Sequence, residues 1–153
     1  MDIHIAESDL TPDVADALIK LSQDWEAENS CHGYRRNTLD DIKGNRIFLA
    51  KEGERIIGYL FGHVEKTARK TTITDANVPI FEVEEIYVVP EYRCRGIGTE
   101  LFEYLENNAL DGAEYIMLST ATKNWRAILH FYIDELGMEF WNARLFKRVK
   151  QDS

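Results

Sequence analysis

Apolar positions along the chain change period several times, and each change marks an element. Ile3 and Ile5 alternate with polar neighbours, which predicts a half-buried strand over residues 3–7. Val14, Ala17, Leu18, Leu21 and Trp25 then recur at helical spacing, behind a capping Thr11 and a Pro12 suited to the first helical position. That helix fades near residues 26–30; a loop over 31–37 and a short helix over 39–43 follow. Residues 47–51 and 55–63 read as a hairpin turned at 52–54. Residues 64–80 are polar and end near Pro79, forming either a long loop or an extension of that hairpin. Their length suits a substrate lid or, equally, a solvated connector. Next come a strand over 82–89, a helix over 98–110 and a short strand over 115–119. Leu101, Phe102, Leu105 and Ala109 give the helix its buried side. A helix over 125–136 is closed by Gly137, and residues 140–141 and 144–149 alternate as final strands. The order β-α-α-β-β-β-α-β-α-β-β predicts one mixed α/β domain over residues 1–153, without repeat or linker.

Composition narrows the class. With 44% hydrophobic and 29% charged residues, the 153-residue chain has the make-up of a soluble domain with a sizeable core. No apolar run reaches membrane-spanning length, and the first residues lack a signal peptide's basic start and apolar core, so a cytoplasmic protein is expected. A net charge of −9 argues against nucleic-acid binding and favours cationic partners. Cys31 and Cys94 are too few for a disulfide framework, and His4, His32, His63 and His130 are scattered, so no metal site is expected.

The most informative stretch runs from Glu82 to Leu101. A strand ends in Val88-Val89-Pro90-Glu91-Tyr92, and Arg93-Cys94-Arg95-Gly96-Ile97-Gly98 leads into a helix. Glycines let the backbone approach a ligand, arginines supply donors for phosphate oxygens, and a helix N-terminus faces an anion with free N–H groups. The reading is a pyrophosphate cradle. No lysine follows the glycines, which excludes a P-loop, and Leu101 stands where a dinucleotide fingerprint needs its third glycine.

The Arg-x-x-Gly-x-Gly loop after Val-x-Pro-x-Tyr resembles the central motif of the GNAT superfamily of N-acetyltransferases, and the element order agrees with that superfamily over nearly the whole chain. The resemblance implies a mixed, mostly antiparallel sheet flanked by helices, with the fourth and fifth strands splayed to admit acetyl-CoA. It places that cosubstrate along Ile86, Tyr87 and Val88, with the loop from Arg93 through Cys94, Arg95, Gly96, Ile97 and Gly98 to Thr99 on the pyrophosphate. A second motif, Asn124-x-x-Ala127 followed by Phe131-Tyr132 and Leu136-Gly137, resembles the late GNAT motif. It implies Asn124 near the pantetheine arm and the Tyr132 hydroxyl near the sulfur. The spacing on either side of Tyr132 is one residue longer than the family's, so a bulge in the helix is needed to restore register. Dimerisation through C-terminal strands is common in the superfamily; Phe140, Trp141, Leu145 and Phe146 allow it, and core packing explains them equally well.

Acetyl transfer to an amine needs a neutral nucleophile, and at pH 7 only on the order of one amine in a thousand with a pKa near 10.4 is neutral. A base must take the proton, donors must stabilise the oxyanion, and the thiolate gains from an acid. Glu84 and Glu85 are the candidate bases; adjacent strand residues point to opposite faces, and strand register favours Glu84 by resemblance to spermidine/spermine-type enzymes. The family's oxyanion donor corresponds to the Val88 N–H, and Tyr132 to the acid. Trp25, Glu26, Glu28 and Tyr34, with Glu84, sit where the superfamily lines its acceptor pocket, and aromatic and acidic groups there suit a cation. The expected acceptor is a small primary amine, attacked directly in a ternary complex. Acetylation of protein N-termini or lysines, and a non-catalytic acyl-CoA-binding module, are the alternatives.

Overall fold

The computed structural model describes residues 2–150; among them, besides a 3-10 turn at Pro90–Tyr92 and a π turn after the last α-helix, five strands and four α-helices form. In order they are β1 (Ile3–Ser8), α1 (Pro12–Glu28), α2 (Leu39–Ile42), β2 (Arg46–Glu52), β3 (Arg55–Lys66), β4 (Pro79–Val88), α3 (Ile97–Asn108), β5 (Tyr115–Met117) and α4 (Trp125–Leu129). The sheet order follows the sequence, β1-β2-β3-β4-β5; the first three pairings are antiparallel and β4–β5 is parallel. Thr11 caps α1 by accepting from the Val14 N–H, and α1 ends at Asn29 in the left-handed region.

Helices cover both faces of the sheet. Trp25 of α1 stacks on Tyr87 of β4, so α1 lies on the face that carries Tyr59 and Tyr87. Tyr104 of α3 meets Phe48 of β2, and Ile97 approaches Gly58, so α3 lies on the other face. Leu18, Ile42, Phe48, Ile57, Leu60, Phe81, Leu101 and Leu105 are fully buried between these layers. Each such side chain contributes roughly 1.5–3 kcal/mol relative to exposure.

Two irregularities position the site. β5 pairs with β4 only from Ile80↔Tyr115 to Glu82↔Met117, and β4 continues to Val88 without it. The second is a bulge: Phe61 faces Glu85 and Gly62 faces Val83, leaving Glu84 without a partner. Directly paired residues share a face, and Phe61 and His63 are two apart on β3. The bulge therefore puts Glu82, paired with His63, on the same face as Glu85.

The segment 64–80 is an extension of the hairpin. The β3–β4 ladder reaches Lys66↔Pro79, and the connection beyond is closed by Thr67 N–H on Val78 O at 2.9 Å, Asn77 N–H on Thr67 O at 2.7 Å and Thr67 Oγ1–H on Asp75 O at 2.7 Å. The final strands expected over 140–141 and 144–149 do not form. Alternation specifies two faces but supplies no partner, and the neighbouring edge, β5, is three residues long. Instead the segment contacts the body of the domain: Trp141 Nε1–H donates to Thr72 Oγ1 at 3.1 Å, and Phe146 meets the His32 ring edge-on at 5.5 Å.

Candidate functional site

β4 carries the site, because its two edges differ. The Val89 N–H donates to Ile57 O on β3. Successive N–H groups alternate in direction along a strand, so those of Val88 and Ile86 project from the opposite edge, where β5 has ended. β5 does not pair with this part of the edge.

The loop itself is exposed from Arg93 to Gly96. Cys94 and Gly96 both adopt the left-handed conformation, with φ of +62° and +82°, and Gly96 is the N-cap of α3. The N–H groups of Ile97, Gly98 and Thr99 fall in the first helical turn, where no intrahelical acceptor exists. This arrangement of amides suits a phosphate. The two arginines diverge. Arg95 lies over the Tyr92 ring, 5.1 Å from its centroid. Arg93 turns the other way: its Nε–H donates to Val88 O at 2.8 Å, its guanidinium lies 5.3 Å over Tyr87, and Nη1 pairs with Glu28 Oε1 at 2.8 Å.

On the α1 face the side chains form an aromatic and acidic wall. Trp25 stacks between Tyr34 (4.1 Å) and Tyr87 (5.3 Å). Glu28 Oε2 accepts from the Tyr87 hydroxyl at 2.5 Å. Glu85 Oε1 accepts from Tyr59 OH at 2.8 Å, Asn37 Nδ2 at 2.9 Å and Tyr34 OH at 3.2 Å. Behind them Ser22 Oγ accepts from the Asn37 N–H at 2.7 Å and meets Tyr34 OH at 2.8 Å. Burial pushes the Glu85 carboxyl up, while the hydrogen bonds from Asn37, Tyr59 and Tyr34 hold it back.

Trp25, Glu28 and Tyr34 are thus brought together with Tyr87 and Glu85. Glu26 is drawn off to Arg36, at 2.6 Å. Glu84 stands outside the wall: the bulge leaves it exposed, 3.7 Å from His63 Nδ1. The regular alternation that would set Glu84 and Glu85 on opposite faces is interrupted at this point of β4. Glu82 is a further carboxylate on this face, one the sequence did not single out. Half-buried on the wall's face at the last β5-paired position, it has a carboxyl pushed up to about 7 by burial and by Glu84 and Glu65, against the opposing pull of His63. Gly62, opposite the bulge, was the available signal.

The late motif lies on the α3 side. After α4 the helix widens into a π turn over His130–Glu135, which takes up the extra residue on each side of Tyr132. Phe131 sits over Gly98, where a Cβ would come within 2.9 Å of its ring. Tyr132 packs against Phe102 and Phe131, its phenol pushed up to about 12 by burial and by nearby Cys31. Residues 30–32 bridge to 121–123, through Cys31↔Thr122 and the His32 N–H on Ala121 O at 2.9 Å. This seam ties the end of α1 to the segment entering α4. Asn124, exposed, caps α4 without a side-chain bond.

A model of the acetyltransferase (GNAT) family matches residues 15–138. The chain belongs to that family. GNAT structures share its fold over almost the full length. An aminoglycoside acetyltransferase from an uncultured soil metagenomic sample superposes with a TM-score of 0.66 at 20% identity, covering 98% of this chain and 100% of that one. A second soil metagenomic aminoglycoside acetyltransferase, in complex with sisomicin, gives 0.66 at 18%, covering 97% of each chain. Aminoglycoside N-acetyltransferase AAC(6')-Iy in complex with CoA gives 0.63 at 17%, covering 98% and 100%. None of the curated proteins matches the chain. Among the described residues, no helix is long and apolar enough to cross a membrane.

Proposed function

We propose that this GNAT protein transfers an acetyl group from acetyl-CoA to a primary amine of a small polycationic molecule, of the aminoglycoside or polyamine kind. The observation that carries the reading is the wall of Trp25, Tyr34, Tyr87, Glu28 and Glu85 joined to the phosphate-type loop through Arg93. Aromatic faces and carboxylates bind ammonium groups, and a net charge of −9 draws them in.

The residues divide the work. The amides from Gly96 to Thr99 hold the pyrophosphate of acetyl-CoA, which supplies the activated acetyl group. The free β4 edge at Ile86 and Val88 orients the thioester and offers N–H donors to its oxygen. A carboxylate on the wall's face of β4, Glu82 or Glu85, takes the proton of the attacking amine. Tyr132, fully protonated at neutral pH, donates to the departing sulfur. A homodimer is part of this reading, because Phe140, Trp141, Leu145, Phe146 and Val149 are all exposed.

The test is free-thiol release from acetyl-CoA with spermidine, sisomicin, single amino acids and a lysine peptide as acceptors. Release with spermidine or sisomicin, and not with the peptide, is expected. Release with the peptide alone transfers the reading to protein acetylation. Tight CoA binding without any release makes the chain an acyl-CoA-binding module.

A further inference from the structure

Glu28 and Arg93 belong to different halves of the site, α1 and the phosphate loop, and each uses up the other. Both Glu28 oxygens are engaged, Oε1 by Arg93 Nη1 at 2.8 Å, Oε2 by Tyr87 OH at 2.5 Å and Arg93 Nη2 at 3.0 Å. A carboxylate so neutralised has little charge left for an ammonium group. Arg93 in turn is committed to protein partners: its Nε–H occupies Val88 O, on the β4 edge that β5 leaves open, and its face rests on Tyr87. The loop's first arginine therefore lies across the thioester path and in the acceptor wall at once.

The pair is also free to exchange. Side-chain exposures of 42% for Arg93 and 23% for Glu28 make it a partly solvated ion pair, whose worth is modest and whose opening strands no buried charge. A pyrophosphate at the loop offers Arg93 a better bidentate partner than one carboxylate. An amine against Tyr87 and Trp25 offers Glu28 a replacement cation in the same aromatic setting.

We propose that Glu28 couples the two substrates: in the free protein it holds Arg93 against the acceptor wall, and it passes to the acceptor's ammonium group when a pyrophosphate draws Arg93 away. This rests on the acetyl-CoA reading of the loop given above. Coupling of this kind is reciprocal, so each substrate strengthens the binding of the other. It also makes Glu28 a competitor for the cofactor's arginine when no amine is present.

The experiment is calorimetric titration of CoA into the wild-type protein, Glu28→Gln, Arg93→Gln and the double variant, with Asp24→Asn as a charge control on the same helix. Glu28→Gln is expected to bind CoA more tightly, on the order of threefold, the worth of a partly solvated ion pair. The gain should vanish in the Arg93→Gln background, and Asp24→Asn should show none. A gain that persists without Arg93 reduces the effect to long-range repulsion and overturns the coupling. Unchanged or weaker CoA binding by folded Glu28→Gln also overturns it. Glu28→Asp, which keeps the charge but withdraws it by one methylene, serves if Glu28→Gln does not fold; it should give a smaller gain in the same direction. Absence of CoA binding by the wild-type protein is a different failure, which removes the cofactor reading and the coupling with it.

Discussion

Glu82 and Glu85 lie three residues apart on one strand and face the same side, yet their surroundings are opposite. Glu85 sits deeper, but Asn37, Tyr59 and Tyr34 donate to it and work against the rise that burial imposes on its carboxyl. Glu82 is shallower, and its strongest neighbours after burial are Glu84 and Glu65, so it climbs to about 7. Burial raises both; the neighbours oppose it at Glu85 and reinforce it at Glu82. One carboxylate is built into a wall, and the other is left able to change charge.

The bulge makes the comparison possible, so breaking it should have the largest effect. A Cβ on Gly62 would lie 2.7 Å from Phe81 Cε1 and 3.0 Å from Val83 Cα, with the Glu82 carbonyl oxygen closer still. Two of these three are backbone atoms and have little room to yield. Gly62→Ala should cost about 3 kcal/mol in urea denaturation, at the upper end of overpacking. It should also return the Glu82 carboxyl toward the ordinary range, since removal of the bulge turns its side chain to the other face. A loss under about 0.5 kcal/mol, the scale of an ordinary surface substitution, means the bulge does not press on Gly62.

Glu85 is sharpened by separating its charge from its role as acceptor. Glu85→Leu leaves three donors on the α1 face without their oxygen and should destabilise the domain by about 2–3 kcal/mol. Glu85→Gln keeps an acceptor oxygen and should cost about 1 kcal/mol, the net worth of one hydrogen bond. Equal losses in the two variants, measured by urea denaturation at pH 7, would sink the view that acceptor capacity rather than charge holds this wall together.

How much of this was legible follows the same division. Helical spacing located α1 and α3, and alternation located β1, because those patterns record burial on one side; β2 and β3 were legible as apolar runs on either side of a turn. The Arg93–Gly98 loop was legible because glycine and arginine there answer to a ligand's shape as well as to packing. The face of Glu82 was not legible. Period-2 reasoning assigns faces correctly until one unpaired residue inverts them, and nothing local to Glu82-Val83-Glu84-Glu85 announces that inversion. The direction of Arg93 was hidden for a related reason: its partners, Glu28 and Tyr87, are 65 and 6 residues away. The late motif shows the opposite outcome, since the surplus residue on each side of Tyr132 anticipated the π turn. The C-terminal residues show how alternation misleads when no edge receives it.

The smallest effect is the most specific to Glu82. Its folded carboxyl is raised from near 4.5 to about 7, so the fold favours the protonated form. The stability gained in this way is fully present below about pH 4.5 and is lost as pH rises through 7. Because the group is half-exposed, solvent screening reduces the contribution to roughly 1 kcal/mol. Glu82→Gln, which fixes the neutral state, should match the wild-type protein at pH 4.5 and exceed its urea midpoint at pH 8. High salt should shrink that gap, since Glu84 and Glu65 act partly through water. Glu85 contributes a pH dependence of the same sign to both proteins, so their difference isolates Glu82. If the two urea profiles stay parallel from pH 4.5 to 8, Glu82 does not titrate in this range, and of the two carboxylates Glu85 is left as proton acceptor.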